Sequence, residues 1–347
     1  MITYWQQEGE RLARVKKEDL ENGKRTWVDA RVVTRDDVAL LQAEYALEPE
    51  HILDILDPDE LSRLEDGDGY VLTIIRLPVF DPSAETQYFT VPLGIIIKGN
   101  SIITICWTDC EVLKDFSAGR VKGIRLSDFP AFIIRFISRA DIAFLRYLKE
   151  INRRFVGIQN ELQLSVANKE ILQLLSLEKS LVYFTTSLKS NQLMLEKFRK
   201  TKLFVLDLDD IDWLDDVDID NRQAIEMAET YRNVLVGIMD AFNSIISNNL
   251  NIYMKKLAIL NIVMMVPTFI TSFFGMNFPL PFERYGGNAT WIVTGICIIS
   301  IFITNIILSL TDRRFAHKSD DSKKLTASRK ERKNRRRMAS IEAALQE

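Results

Sequence analysis

Hydrophobic positions change their spacing along the chain. Between residues 26 and 107, apolar side chains come in short runs rich in β-branched and aromatic residues: TWVDARVV (26–33), GYVLTIIRLPVF (69–80), FTVPLGIIIKGN (89–100) and SIITICW (101–107). Turn formers punctuate them at 66–69, 81–83 and 99–101, so these runs predict strands, with IIIKGNSIITI a hairpin. DDVALLQAEYAL (36–47) and EHILDIL (50–56) instead carry helical periodicity. Together they predict an α/β domain over 1–127, a mixed sheet flanked by helices.

From Pro130 to Pro267 the chain holds no proline and only two glycines, Gly157 and Gly237. Such a stretch predicts long helices: about 128–166 and about 168–200, then a break at KTKLFVLDLDD (200–210). These form a helical region over 128–211. A last helix over 212–274 would be roughly 90 Å long at 1.5 Å per residue. Two uncharged runs end the apolar pattern, Leu257–Phe274 and Ala289–Leu310, of 18 and 22 residues. Each is long enough for about 30 Å of hydrocarbon. Lys255 and Lys256 precede the first run, and Arg313 and Arg314 follow the second. Basic residues at both outer ends place both termini in the cytoplasm of a multi-pass cell-membrane protein. The expected fold is therefore an α+β cytosolic domain followed by long stalk helices and two C-terminal transmembrane helices. The stalk over 212–274 enters the membrane at about 255. Residues 275–288 form an external loop, 289–310 the second span, and 311–347 a basic cytosolic tail.

Charge sharpens this picture. The net charge is −3. From Asp312 onward there are 12 Lys/Arg and 6 Asp/Glu, so the tail carries +6 and the rest −9. Beside a membrane such a tail suits anionic lipid or the acidic cytosolic part, not nucleic acid. Three cysteines and two distant histidines imply neither a disulfide framework nor a Cys/His zinc site. The polar N-terminus is no secretory signal. No constellation of an enzyme appears.

Within the first span, Asn251, Met254, Ala258, Asn261, Met265, Thr268 and Ser272 recur at alternating spacings of three and four. Ile252, Lys255, Ile259, Ile262, Val266, Phe269 and Phe273 are expected to form the opposite-facing, bulky set. A spacing of 3.5 marks helices packed about a common axis, and polar groups in a membrane helix face a partner or water. Two readings stand: the stripe glues helices together, or several copies surround a wet axis. Neither span contains a carboxylate, which fits a passive conduit better than a proton-coupled carrier. Amide and hydroxyl rings meet a hydrated ion through its waters, and Met and Leu rings constrict. That suits Mg²⁺, which sheds water reluctantly. The membrane potential would drive it inward with about 4.6 kcal/mol per 100 mV.

Gly275-Met276-Asn277 ends the first span, after MMVPTFI (264–270) and ETYRNVLVGIMDAFNSIISNNLN (229–251). With two spans and a basic tail, this resembles the CorA family of magnesium transporters. TWVDA, HILDILDP and GYVLTIIRLP resemble its cytosolic domain. The resemblance implies a funnel-shaped homopentamer with one central pore. Gly275, Met276 and Asn277 would form the selectivity filter, with the Asn277 amide oxygen meeting the hydrated ion. Asn251, Met254, Leu257, Met265 and Thr268 would line the pore, with Met254, Leu257 and Met265 as its hydrophobic gate. Asn261 stands where the family often has a small residue, which implies a wetter middle.

DLDDIDWLDDVDID (207–220) holds eight Asp. It is not an EF-hand, because counting from Asp216 puts Asn221 and Met227 at positions 6 and 12, where Gly and Glu are needed. Carboxylates also favour a helix start. The resemblance implies that Asp216 of one subunit and Asp54 of the next hold regulatory Mg²⁺ and keep the pore closed. Leu53 occupies the family's second acidic position, and Asp220 is the substitute candidate. Two other functions stay open: a transporter of Co²⁺, Ni²⁺ or Zn²⁺, and a non-conducting membrane-anchored metal sensor.

Overall fold

The apolar runs pair into a seven-stranded sheet in the order β2-β1-β3-β7-β6-β5-β4. The strands are β1 (Ile2–Glu8), β2 (Arg11–Val15), β3 (Thr26–Arg31), β4 (Arg63–Gly67), β5 (Tyr70–Phe80), β6 (Tyr88–Lys98) and β7 (Ser101–Cys106). β3 and β7 run parallel, whereas the other neighbours are antiparallel. The helices are α1 (Arg35–Tyr45), α2 (Pro49–Leu56), α3 (Glu111–Ser117), α4 (Phe129–Leu164), α5 (Asn168–Lys200), α6 (Leu208–Phe274) and α7 (Trp291–Ile307). The computed structural model describes residues 1–275, 291–307 and 310, except 10, 22, 122 and 165–167, and backbone only for 162–164 and 168. Met276, Asn277, the rest of the expected external loop and the tail 311–347 lie outside the described residues.

Side chains alternate across the sheet. One face sends Val28, Leu72, Ile74, Ile96, Ile103 and Ile105 toward Ile52 and Ile55 of α2. The other sends Trp27, Ile75, Leu77, Leu93, Ile95 and Ile102 toward Phe132 and Phe136 of α4, Phe198 of α5, and Leu214 and Val217 of α6. The sheet and the first part of the long helices therefore share one core, and Met1–Asp240 forms one compact unit, with Ala241–Glu347 the second.

Local chemistry explains the helix starts. Thr34 and Asp37 form a reciprocal capping box at α1. Asp207 caps α6: its Oδ1 accepts from the Asp210 N–H at 2.7 Å, and Asp210 Oδ2 accepts from the Asp207 N–H at 3.2 Å. This cap starts α6 at Leu208, four residues before the expected start. At Gly94 of β6 a methyl group would sit 2.3 Å from Ile55 Cδ1. The missing side chain is what lets α2 lie this close to the sheet, and α2 carries Asp54.

Strands β1, β2 and β4 and helix α3 are additions to the sequence-based expectation. β2 and β4 are edge strands, and RLARV and RLEDG are charged as edges commonly are. That charge hides their alternation.

Candidate ion path and regulatory metal site

Among the described residues, α6 is the one helix whose length and apolar composition suffice to cross a membrane; α7 is apolar over its 17 residues. Asn251, Met254, Leu257, Ala258, Asn261, Met265, Thr268 and Ser272 are all exposed. Coverage falls on another face of the same helix: Val263 is buried, and Ile259, Val266, Ile270 and Phe274 are partly buried. At 100° per residue those positions centre on the side opposite the polar stripe. The Cys297 thiol of α7 lies 4.0 Å from the Pro267 carbonyl oxygen, which places α7 against that covered face. The covered face is not the bulky set read from the sequence. Ile259 and Val266 belong to both, whereas Ile252, Ile262, Phe269 and Phe273 are exposed.

Polar groups on the helix differ in how they are satisfied. Thr268 donates to the Met264 carbonyl at 2.8 Å and Thr271 to that of Thr268 at 3.0 Å. Each hydroxyl thereby spends its proton on the backbone and keeps oxygen lone pairs outward. Asn251 and Asn261 make no hydrogen bond among the described residues. Asn261 lies within the uncharged run that begins at Leu257, where an amide left so in hydrocarbon is costly, whereas Asn251 precedes that run. At the end of the helix, the Gly275 N–H donates to the carbonyls of Thr271 (3.0 Å) and Ser272 (3.2 Å).

Asp54 sits on the outer side of α2, between buried Ile52 and Ile55. Its Oδ2 is 2.6 Å from Arg63 Nη2, at the start of β4. Arg63 also pairs with Glu60, and its Nε lies 3.0 Å from Glu65 Oε2. Burial works against the guanidinium charge, but the Asp54 hydrogen bond and the nearby carboxylates of Asp54 and Glu65 outweigh it and hold Arg63 above its ordinary value. Asp216 is exposed on α6 and makes no hydrogen bond or ion pair among the described residues; Asp220 is partly buried. No hydrogen bond or ion pair joins Asp54 to Asp216 among the described residues. The donor set fits Mg²⁺: hard carboxylate oxygens, with Asp54 Oδ1 and both Asp216 oxygens unengaged.

A second acidic group was not singled out from the sequence. Carboxylate oxygens of Asp128, Asp207 and Asp210 lie within 4.8 Å of one another. Asp128 accepts from the Ala131 N–H at 3.1 Å, capping α4, and Asp207 caps α6. Two helix N-termini thus meet these carboxylates with N–H groups, which accounts for the cluster without an ion. Burial, followed by the charges of Asp128 and Asp207 against the Asp207 N–H bond, raises the Asp210 carboxyl above its ordinary value.

Comparison with known proteins bears on the family and the fold. The family model described as CorA-like Mg²⁺ transporter protein matches residues 22–314. The chain is 28% identical over 291 residues to the cobalt/magnesium transport protein CorA of Methanocaldococcus jannaschii, covering 80% of this chain and 87% of that protein. It is 24% identical over 270 residues to the Thermotoga maritima protein of the same name, covering 73% of each. The complete structure of the Methanocaldococcus jannaschii CorA magnesium transporter superposes with a TM-score of 0.73 at 23% identity, covering 88% of this chain and 96% of that one.

Proposed function

Since the chain belongs to the CorA-like Mg²⁺ transporter family, a family of transporters and not of enzymes, we propose that it forms a channel-like conduit for passive, potential-driven Mg²⁺ influx. The observation that carries this reading is the polar stripe of α6, left open on the side away from α7. A helix that spends its apolar face on its own second helix has only further copies, or water, to offer its amides. In a homopentamer those copies close the axis. Asn251, Asn261 and Thr268 then hand a hydrated ion along. Met254, Leu257 and Met265 close the path by dewetting when the helices tighten. Asn277 forms the entrance, and α7 is the second span.

Closure follows cytosolic Mg²⁺. The ion bridges Asp54 of one subunit and Asp216 of its neighbour, with Asp220 nearby, and compensates carboxylates that otherwise repel. Exposure of Asp216 on α6 and the free oxygen of Asp54 support this role. The two relatives are cobalt/magnesium transport proteins by name, so Co²⁺ is the second cargo we propose.

Uptake of Mg²⁺, Co²⁺ and Zn²⁺ into proteoliposomes tests the reading. Wild type is expected to take up Mg²⁺, with Co²⁺ accepted, and Asn277→Ala to abolish selectivity or flux. Equal flux of the same ions through both proteins removes Asn277 from the path, and no flux from folded wild type removes the conduit.

A further inference from the structure

Asp54 does not wait for a metal ion without a counter-ion. Arg63 Nη2 lies 2.6 Å from its Oδ2. The same guanidinium pairs with Glu60 and stands 3.0 Å from Glu65 Oε2. One cation therefore serves three carboxylates, leaving the constellation two negative charges in excess. Its position is fixed from both sides. Arg63 opens β4, in register with Ile74 of β5, and Asp54 rides on α2, which Ile52 and Ile55 anchor to the sheet. Glu65 is itself 3.4 Å from His51 Nε2, whose Nδ1 is 2.6 Å from the Tyr70 hydroxyl. The guanidinium takes only one oxygen of Asp54; Oδ1 makes no hydrogen bond among the described residues.

We propose that Arg63 is a built-in competitor of Mg²⁺ at Asp54 and sets the cytosolic Mg²⁺ level at which the transporter closes. The inference rests on the reading of Asp54 as a regulatory ligand. A hydrated Mg²⁺ arriving at Oδ1 meets a fixed positive charge on the opposite oxygen of the same carboxylate. Like charges this close repel even at the high effective dielectric of a protein surface. Arg63 thus weakens the site, and in the Mg²⁺-free state it neutralises part of the charge that would otherwise force the site apart. Among the described residues Asp216 pairs with no cation, so the competition acts at one half of the bridge.

The test uses the full-length protein in detergent. Added Mg²⁺ is titrated while protection from chymotrypsin and the unfolding temperature are followed, and closure is read in proteoliposomes loaded with the same Mg²⁺ series. Arg63→Gln is expected to move the Mg²⁺ midpoint down by about tenfold, the scale of one nearby charge acting on a divalent ion. Arg63→Lys, which keeps the charge but not the fork, is expected to stay within about twofold of wild type. Should Arg63→Gln not fold, Arg63→Met keeps the apolar stem and gives the same reading. Asp54→Asn is expected to remove the Mg²⁺ response. An unchanged or raised midpoint in Arg63→Gln and Arg63→Met, with the response still lost in Asp54→Asn, overturns the competitor role alone. A midpoint that survives Asp54→Asn overturns the regulatory reading beneath it.

Discussion

The Asp141 carboxyl on α4 accepts a 3.0 Å hydrogen bond from the Asn221 amide on α6, and neither side chain is open to solvent. Asp141 Oδ2 and Asn221 Oδ1 have no hydrogen-bond partner among the described residues. Burial pushes the Asp141 carboxyl well above the usual carboxylate range; the Asn221 N–H opposes this, and the charges of Asp220 and Asp218 add to it. A folded value above the unfolded one means that the protonated form favours folding. That contribution is complete below the unfolded value near 4 and is lost as pH climbs toward and through the folded value. Asp141→Asn removes the titration and can place an N–H where the carboxylate Oδ2 has no partner among the described residues. We expect a gain of about 1–3 kcal/mol near pH 8, the scale of satisfying a buried polar group, and a flatter stability profile between pH 4 and 8. Thermal unfolding in Mg²⁺-free detergent across that range measures both. A less stable variant at pH 8 contradicts the argument.

Gly94 and Ile55 fix how closely α2 approaches the sheet. A methyl at Gly94 meets Ile55 Cδ1 at 2.3 Å and Cγ1 at 2.5 Å, closer than carbon atoms pack. Gly94→Ala is therefore expected to cost about 1–3 kcal/mol, the range for overpacking a core. In an Ile55→Ala background the same change should cost much less, because the contact is gone. Chemical denaturation of the four proteins closes the cycle, and strictly additive costs would show that α2 yields without strain.

The two faces of α6 make opposite demands on substitution. Asn261→Leu turns an amide of the open stripe into a side chain that repels water, and Mg²⁺ uptake is expected to fall about tenfold or more. Ile262→Leu, one residue on but off the stripe, should leave uptake within about twofold, since it conserves volume and polarity. Equal loss in both would point to packing, not to a water-filled path.

Much of this architecture was legible in the sequence because breakers are visible where they occur and where they are missing. The proline-free stretch gave α4, α5 and α6 almost to their ends, and Gly99 between two β-branched runs marked the β6–β7 hairpin. The partner of Asp54 was not legible: Arg63 lies nine residues on, past a turn, and charged residues of an edge strand look like any solvated loop. Nor was the packed face of α6. Nearly every position there is apolar, so hydrophobic period says little about which side meets α7, and small differences in packing decide. Among the carboxylates, capping explains Asp207 and Asp210 once α6 is seen to begin between them, but eight aspartates within 207–220 conceal which ones cap.

The parallel pairing of β3 with β7 sets an order of events during synthesis. Trp27 stands opposite Ile102 and donates its indole N–H to Thr104 at 2.9 Å. One edge of β3 can pair with β1 as soon as both are made, whereas the other waits for a strand some 75 residues later. At translation rates of about 5–20 residues per second, that interval is roughly 4–15 s. Through it, the hydrophobic centre of the sheet has no partner strand on that side. The nascent chain is thus most exposed to misassociation before β7 emerges, well ahead of any apolar helix reaching a membrane.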